Sequence, residues 1–319
     1  MKIAFVGKGG SGKTTLAALT ARYLAARGNP VLAIDADINQ HLAVALGATA
    51  EDAAAWPALG EHLTELKDWL RGTNPRISSA EAMLKTTPPG AGSRLVGLSP
   101  GTFLYERCVR RAGQVDLAVT GPFAESDLGV ACYHSKVGAV ELLLNHMVDG
   151  HDEYVVVDMT AGADAFASGL FTRFDATFCV CEPTLRGVGV FAQYTEYARE
   201  YGITVHAVGN KVEDAADLEF LREHLGDALL TYARRSSFVR AAERGAAGPI
   251  SELEEANAAA LDTIITAAAN APRDPVRYTQ QAVEFHLRNA EAWGNARTGE
   301  DLSQQIDPDF VVGYAQQAV

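Results

Sequence analysis

Cysteine, positive charge and long apolar runs are all scarce in this sequence. Its 319 residues include four cysteines, and 27 Lys and Arg residues stand against 40 Asp and Glu residues, which gives a net charge of −13. Four cysteines in so long a chain do not make a disulfide framework, so we expect a reducing, cytoplasmic setting. The acidic balance disfavours a nucleic-acid footprint and binding to an anionic membrane surface, and no apolar run approaches the length of a membrane span. We therefore expect neither nucleic acid nor membrane among the partners.

Short apolar runs alternate with helical patterns along most of the chain. Strands are predicted at 1–6, 31–35, 115–119, 154–158, 176–181 and 203–208. Strands that are apolar on both sides are typical of a parallel sheet covered on both faces, so the pattern predicts an α/β fold with a mostly parallel, doubly wound sheet. Ligands bind such sheets at the carboxyl ends of the strands. The polar residues that end these runs are therefore the candidate site residues.

Two stretches break the alternation. Residues 48–94 contain helical segments rich in Ala, Glu and Asp and then a loop rich in Pro and Gly, which indicates an insertion. Pro272 and Pro275 end a predicted helix, and one more helical pattern follows at 276–292. We expect one domain over 1–271, with 48–94 as a helical insertion, and a C-terminal helical extension or docking tail over 272–319.

The most informative motif follows the first apolar run. Residues 7–15 read Gly-Lys-Gly-Gly-Ser-Gly-Lys-Thr-Thr, which fits the G-x-x-x-x-G-K-[ST] pattern of a loop that cradles nucleotide phosphates. The loop lies between a predicted strand and a predicted helix at 14–27, whose N-terminus adds free N–H donors. Lys13 is expected to reach the β- and γ-phosphates, and Thr14 to bind Mg²⁺. The residues expected to bind nucleotide here are Gly9, Gly10, Ser11, Gly12, Lys13, Thr14 and Thr15.

A second lysine, Lys8, stands inside this loop. Residues 8–14 resemble the deviant Walker A P-loop of the MinD, ParA and nitrogenase iron protein ATPases, the SIMIBI class of P-loop NTPases. In that class the extra lysine reaches across a dimer interface to the nucleotide of the partner subunit. The resemblance therefore implies a homodimer that closes face to face around ATP. In it Lys8 would neutralise charge that develops between the β- and γ-phosphates.

The resemblance extends to two strands that end in aspartate. In the class, the motif at residues 31–37 uses its second aspartate to orient the attacking water and its first to support the metal, which implies these roles for Asp37 and Asp35. Residues 158–162 resemble the Walker B and switch II element. This implies that Asp158 holds Mg²⁺, partly through water, and that Gly162 senses the γ-phosphate. The implied catalytic residues are Lys8, Lys13 and Asp37, and the implied magnesium residues are Thr14, Asp35 and Asp158.

Asn210 and Lys211 follow the last predicted strand. The class places an asparagine at this point, where it bonds the edge of the adenine ring. The resemblance therefore implies that this pair binds the base, and it favours ATP over GTP. The cofactors implied for the chain are ATP and Mg²⁺.

Two cysteine sites are candidates for a transition metal. Cys179 and Cys181 alternate within an apolar strand, which favours packing of both thiols in the core. Cys132 and His134 lie two apart in a loop before a predicted helix at 137–147. One such pair supplies too few ligands for a closed tetrahedral site, but two pairs that meet across a dimer axis supply four. The alternative is a loop cysteine beside a hydrogen-bonded histidine.

Within the class, the sequence is similar to the CooC-type maturation factors of nickel carbon monoxide dehydrogenase over residues 1–260. That family carries Cys-x-Cys where this chain has Cys132 and His134. The resemblance implies a metal site at the dimer interface, and a thiol with an imidazole suits Zn or Ni. A shared iron–sulfur cluster needs a second cysteine soon after Asp158, and residues 159–170 contain none.

Together these features predict a dimeric Mg-ATPase that acts as a nucleotide-switched metallochaperone or metalloenzyme maturation factor, with a client metalloenzyme as its partner. Two alternatives stay open. A ParA- or MinD-like positioning ATPase would bind a partner protein or a surface. An ATP-dependent ligase of the same fold would activate a substrate carboxylate.

Overall fold

A single twisted sheet with helices on both faces organises the chain. A computed structural model describes residues 1–37, 39–121, 133–161, 166 and 168–313, without the side chains of 133–136. The strands are β1 (Lys2–Gly7), β2 (Val31–Ala36), β3 (Arg110–Ala112), β4 (Val115–Val119), β5 (Tyr154–Met159), β6 (Ala176–Cys181), β7 (Val205–Val212) and β8 (Leu229–Arg234). The α-helices are α1 (Lys13–Ala26), α2 (Leu42–Ala45), α3 (Ala50–Ala54), α4 (Leu63–Arg71), α5 (Phe103–Arg107), α6 (Tyr133–Asn145), α7 (Leu185–Arg199), α8 (Ala215–Leu225), α9 (Ser237–Glu243), α10 (Glu255–Ala269), α11 (Pro275–Asn289) and α12 (Asn295–Thr298).

The strand order is β3-β4-β2-β5-β1-β6-β7-β8. Every neighbouring pair is parallel except β3 and β4, so the predicted mostly parallel sheet is confirmed. β1 lies between β5 and β6. The connection from β1 leads to β2 on one side of it, and the connection from β5 crosses to β6 on the other side. Since ligands bind where the strand order reverses, the loop after β1 stands at the point where this fold binds its ligands.

Alternation along β1 shows why both faces of the sheet are covered. Ile3 and Phe5 belong to one buried core together with Leu16 of α1, whereas Ala4 belongs to a second core together with Val140 of α6. Successive side chains of a strand point to opposite faces. A strand that is apolar at every position therefore needs a helix layer on each side, as the sequence pattern indicated.

Two strands were not predicted from the sequence. β3 has three residues and begins with the exposed Arg110 and Arg111, so it lacks an apolar run. β8 follows α8 almost directly, after a single 3₁₀ turn at Gly226–Ala228. Both strands lie at the edges of the sheet, where one side of the strand has no neighbour and strong apolar patterning is not required.

The segment 48–94 is helical only in its first half. It contains α3 and α4, and from residue 72 to residue 102 the described chain has neither helix nor strand. The loop returns along α4, where the Thr73 amide donates to the Gly92 carbonyl at 2.9 Å. Its later residues then turn toward the C-terminal tail.

The tail packs on the body of the protein and on this same segment. The Tyr278 hydroxyl of α11 donates to the Leu144 carbonyl at 2.5 Å. The Gln305 amide donates to the Ala82 carbonyl at 3.0 Å and accepts from the Thr87 hydroxyl at 3.1 Å. Leu84, Ala290 and Leu302 form a small buried cluster between the two stretches. The segment 48–94 and the C-terminal tail, which both lie outside the α/β pattern, are thus packed against each other.

Among the described residues, no helix is both long enough and apolar enough to cross a membrane.

A buried charge cluster ties the tail to the start of β1. The Asp149 carboxylate is fully buried and accepts from Lys2 Nζ at 2.6 Å and from Arg273 Nη2 at 2.6 Å. Burial alone raises the pKa of Asp149, but the charges of Lys2 and of the Met1 amino group outweigh it and lower the pKa to about 2. The carboxylate therefore stays ionised and stabilises the folded chain at neutral pH.

Replacing Asp149 with Asn leaves the buried Lys2 without its counterion. We expect the free energy of unfolding to fall by about 3–5 kcal/mol at pH 7, as when one partner of a buried ion pair is removed. Because the folded pKa of Asp149 lies below the usual 3.8, the difference between wild type and variant should persist above pH 4 and close as the pH falls toward 2.

Urea denaturation along a pH series measures this difference. Asp152→Asn, an exposed aspartate in the same connection, is the control and should change stability by less than about 0.5 kcal/mol. Equal stability of wild type and Asp149→Asn at pH 7 would contradict the role of the cluster.

Candidate active site

The loop between β1 and α1 is shaped by two glycines with positive φ. Gly10 has φ +81° and Gly12 has φ +96°, a region that residues with a side chain rarely adopt. A Cβ on Gly12 would also lie 2.1 Å from Asn210 Nδ2. Gly12 is the N-cap of α1 and provides no side chain to bond the first-turn N–H groups. Those amides are therefore available to an anion at the helix N-terminus.

Lys13 and Ser11 are buried within this loop. Lys13 Nζ donates to the Lys8 carbonyl at 3.3 Å, so its ammonium lies over the loop where phosphates would bind. The Ser11 hydroxyl is buried and has no hydrogen-bond partner among the described residues. A desolvated cation and an unpaired donor are both stabilised by an anionic ligand.

Thr14 and Asp158 meet at the carboxyl end of β5. The Thr14 hydroxyl donates to Asp158 Oδ2 at 2.6 Å, while the buried Oδ1 has no partner within the described ranges. Burial, with a smaller contribution from the charge of Asp37, raises the pKa of Asp158 to about 7 against the opposing effects of Thr14 and Lys13. A buried carboxylate oxygen without a donor is costly. This donor set fits Mg²⁺, which takes a hydroxyl and one or two carboxylates and completes its shell with phosphate oxygens and water.

Asp35 lies beside Asp158 on the neighbouring strand, because the β2–β5 register pairs the two residues directly. Its Oδ1 accepts from the Asp37 amide at 3.1 Å and its Oδ2 from the Leu42 amide at 2.9 Å. Burial, and then the charge of Asp158, raise the pKa of Asp35. Asp35 therefore fixes the segment 37–42 to the end of β2, next to the magnesium residues.

Asp37 is half-buried and begins that segment. Its Oδ1 accepts from the Asn39 amide at 3.0 Å and from the Asn39 side chain at 2.8 Å. Its charge raises the pKa of Asp158, so the two carboxylates act on the same small volume. The structure thus brings Thr14, Asp35, Asp37 and Asp158 together.

Asn210 and Lys211 lie inside β7 rather than after it, so the predicted strand end was wrong by several residues. Asn210 Nδ2 donates to the Ser11 carbonyl at 2.7 Å, and Lys211 Nζ donates to the Gly10 carbonyl at 2.5 Å. Lys211 has φ +60°, and the β7–β8 pairing shifts register between Gly209 and Val212. This irregularity in the strand aims both side chains at the P-loop.

A cavity of about 360 Å³ opens beside the P-loop, a volume within the range of small-ligand pockets. Its lining combines apolar Leu16 and Leu19 of α1 with Asn210 and the end of β8 at Arg234 and Ser236. The apolar side chains of Leu16, Leu19 and Val239, beside the Asn210 amide, suit a planar base next to the phosphates, and charged residues complete the lining. Asn210 was expected at the base, and residues after Leu230 were expected to pass over it; the lining from Ala233 to Glu243 comes from the end of β8 and from α9.

Glu182 is a further site residue that the sequence analysis missed. It directly follows β6, and its carboxylate lies 2.7 Å from Lys211 Nζ and 3.5 Å from Lys8 Nζ. Burial opposes ionisation, but Lys211 and then Lys8 outweigh it and lower the pKa of Glu182. The signal was available, since Glu182 is a polar residue at the carboxyl end of a buried strand, as Asp35 and Asp158 are.

The expected transition-metal residues cannot be placed. Cys132 lies outside the described residues, and so does the side chain of His134. Gly162, which was expected to sense the γ-phosphate, lies outside them as well. In the described part of the chain no group of three or more His, Cys, Asp and Glu could hold a metal ion. Cys179 and Cys181 are buried with their sulfurs 4.0 Å apart, in the core as expected.

Comparison with known proteins identifies the family. The sequence matches the CobQ/CobB/MinD/ParA nucleotide binding domain, CbiA, over residues 3–248. It is 32% identical over 224 residues to the carbon monoxide dehydrogenase accessory protein CooC of Rhodospirillum rubrum, covering 69% of this chain and 78% of that protein. It is 28% identical over 231 residues to an uncharacterized ATP-binding protein of Methanocaldococcus jannaschii, which covers 72% of this chain and 81% of that protein. The fold resembles the cell division ATPase MinD of Pyrococcus furiosus with a TM-score of 0.54 at 16% identity, covering 84% of this chain and 99% of that one.

The family match spans the P-loop, both aspartate-ended strands and β7, the elements that meet at the site described above. The chain therefore belongs to the CobQ/CobB/MinD/ParA family of nucleotide-binding proteins and is a P-loop ATPase.

Proposed function

We propose that this ATPase is a nucleotide-switched metallochaperone or metalloenzyme maturation factor that works as a homodimer. The observation that carries the proposal is the 32% identity to the carbon monoxide dehydrogenase accessory protein over most of the chain. The likeness to MinD is a likeness of fold at 16% identity and does not favour a positioning role. The ATP-dependent ligase alternative has no supporting observation beyond the fold.

In this proposal the residues of the site have separate roles in ATP hydrolysis. Lys13 and the first-turn amides of α1 bind the phosphates and offset their charge. Thr14 and Asp158 hold Mg²⁺, which when bound polarises the phosphate oxygens. Asp37, on the same side of the site, orients the attacking water. Phosphoryl transfer to water needs this positioning and charge neutralisation more than covalent chemistry.

Asp35 connects the nucleotide site to the segment 37–42. Because its two oxygens bind the amides of Asp37 and Leu42, a change in charge at Asp158 acts on the carboxylate that holds this segment. Loss of the γ-phosphate and its metal would therefore alter the conformation of this segment. A client that contacts the segment would bind the two nucleotide states with different affinity.

Lys8 is held within its own subunit by Glu182. The Lys8 side chain is 37% exposed and its ammonium lies 3.5 Å from the carboxylate, which is the geometry of a weak ion pair. In the proposed dimer Lys8 leaves Glu182 and reaches the nucleotide of the partner subunit. The carboxylate keeps its shorter contact with Lys211, so the release of Lys8 costs little.

The cargo site of the proposal consists of Cys132 and His134 from each subunit, with Zn or Ni bound across the two-fold axis. The client is a metalloenzyme that accepts this metal. We propose this site from the sequence alone, since both side chains lie outside the described residues.

Replacing Gly12 with Ala should abolish tight ATP binding. The new methyl group demands an unfavourable φ and collides with Asn210 Nδ2, so the loop must move away from its phosphate-binding shape. A strain of about 1–3 kcal/mol corresponds to a loss in ATP affinity of about five- to 150-fold. Isothermal titration with a non-hydrolysable ATP analogue measures this loss.

Gly28→Ala is a matched control for this experiment. Gly28 has φ +86°, like Gly12, but a Cβ there would meet no described atom within 4 Å. This variant should lose about 1 kcal/mol of stability and keep its ATP affinity. Equal ATP affinities of Gly12→Ala and wild type would contradict the assignment of the loop.

Substitutions of Lys8 and Glu182 test the dimer. Lys8→Ala should lose ATP-dependent dimerisation in analytical ultracentrifugation. Glu182→Gln should strengthen it by about two- to thirtyfold, because each dimer no longer has to break two surface ion pairs of roughly 0.2–1 kcal/mol that retain Lys8. A nucleotide-independent dimer of Lys8→Ala would rule out the cross-subunit role.

Metal titration tests the cargo. Wild-type protein equilibrated with Ni or Zn should retain about one ion per dimer, and Cys132→Ala and His134→Ala should each lose it. His151→Ala, an exposed histidine with 84% of its side chain accessible, is the matched control and should bind as wild type does. Metal binding that is unchanged in both site variants would refute the metallochaperone mechanism. ATP-dependent co-sedimentation with liposomes or DNA would instead favour the positioning role.

A further inference from the structure

A second cavity, of about 390 Å³, lies away from the nucleotide site. It is bordered by α4, by residues 83–85, by the α6 residue Gly138 and by the tail at Trp293 and Arg297. The cavity therefore exists only because the segment 48–94 and the C-terminal tail pack together over α6. Its volume is within the range that binds small ligands.

Three cations line this cavity although the chain as a whole is strongly acidic. Lys85 lies 3.8 Å from the buried Glu141, so its charge has a partner. Lys67 and Arg297 each donate to a backbone carbonyl, of Met83 at 2.6 Å and of Glu81 at 3.3 Å, and neither has a carboxylate within 4.0 Å among the described residues. Their charges are thus fixed in place but not neutralised.

Lys67 is the cation that would gain most from an anion. Burial and then the charge of Arg297 lower its pKa to about 8, against the opposing charge of the exposed Glu81. Two like charges held together in a partly desolvated cavity raise the free energy of the empty state. An anion placed between Lys67 and Arg297 removes that cost and makes charge-assisted hydrogen bonds.

The other walls of the cavity are apolar. Leu63, Met83 and Leu84 form one side, and the Trp293 ring, 40% exposed, borders the opening. The Arg297 guanidinium stacks over that ring at 5.4 Å from its centre, and the indole N–H donates to Asn289 at 3.1 Å. The ring is therefore held in position, while 40% of the residue stays accessible at the opening. A bare anion such as inorganic phosphate would leave these walls uncovered.

We propose that this cavity binds a ligand in which a carboxylate is joined to an aromatic or branched apolar group, either a free organic acid or the C-terminal residue of a polypeptide. The carboxylate binds between Lys67 and Arg297, and the apolar group covers Met83 and Trp293. The proposal stands independently of the function proposed above, because no residue of the nucleotide site lines this cavity.

Two-dimensional NMR of ¹⁵N-labelled protein without nucleotide tests the proposal. The chain has three tryptophans, and Trp293→Phe identifies the indole signal of Trp293. Titration with phenylacetate should move that signal saturably. Phenylacetamide, with the same body and no charge, should bind about tenfold more weakly or not at all.

Variants locate the anion contact. Arg297→Gln and Lys67→Met should each weaken phenylacetate binding about tenfold, and Arg222→Gln, an exposed arginine on α8, should leave it unchanged. Arg297→Gln keeps the test valid if Lys67→Met disturbs the backbone at Met83. A peptide with a C-terminal Phe carboxylate separates the two ligand sources: tighter binding than phenylacetate identifies a polypeptide, and weaker binding identifies a free acid.

Equal binding of phenylacetate and phenylacetamide would overturn the proposal, and so would equal binding of inorganic phosphate. Binding that neither Arg297→Gln nor Lys67→Met weakens would overturn it as well. Failure of this proposal would not affect the proposals on ATP binding, dimerisation and metal binding, because those are tested with substitutions of other residues.

Discussion

Two carboxylates buried side by side at the end of a parallel sheet are the constraint on which the site depends. Asp35 and Asp158 face each other in the β2–β5 register, and both have raised pKa values because water is excluded from them. Two backbone amides donate hydrogen bonds to the Asp35 carboxylate and offset the cost of its burial. Within the described part of the chain, Asp158 accepts a hydrogen bond only from the Thr14 hydroxyl and keeps one oxygen without a donor. The free-energy cost of burying these two carboxylates is offset when a cation and phosphates bind.

Side-chain hydrogen bonds tie the loops around this pair to the ends of the strands. α1 is joined to β5 through Thr14 and Asp158, the P-loop to β7 through Asn210 and Ser11, and the segment 37–42 to β2 through Asp35. Each of these contacts uses a group that can also interact with a bound nucleotide or its metal. Binding therefore exchanges protein contacts for ligand contacts at several loops together, which is how a small ligand changes the conformation of a sheet edge.

Most of the sheet could be predicted from the sequence because buried parallel strands are apolar at every position, and the P-loop could be predicted because its glycines carry a fixed pattern. Three features could not. β8 sits at an edge and lacks a distinctive pattern. The left-handed conformation of Lys211 depends on a register shift that no local signal encodes. The packing of Gln305 on Ala82 joins residues more than two hundred positions apart, and local periodicity carries no information about such contacts.

Helix α6 borders the second cavity and directly follows Cys132 of the proposed metal site in the sequence. Gly138 and Glu141 lie in its first three turns. Glu141 is buried, pairs with Lys85 at the edge of the second cavity, and has a pKa that burial raises to about 7, against Lys85 and Arg173. A carboxylate in the cavity would compete with Glu141 for Lys85 and change the charge balance along the helix. Cys132, which we propose to carry metal, thus precedes a helix whose electrostatics the proposed carboxylate would alter. The tail completes that cavity, so its packing on the segment 48–94 also bears on this helix.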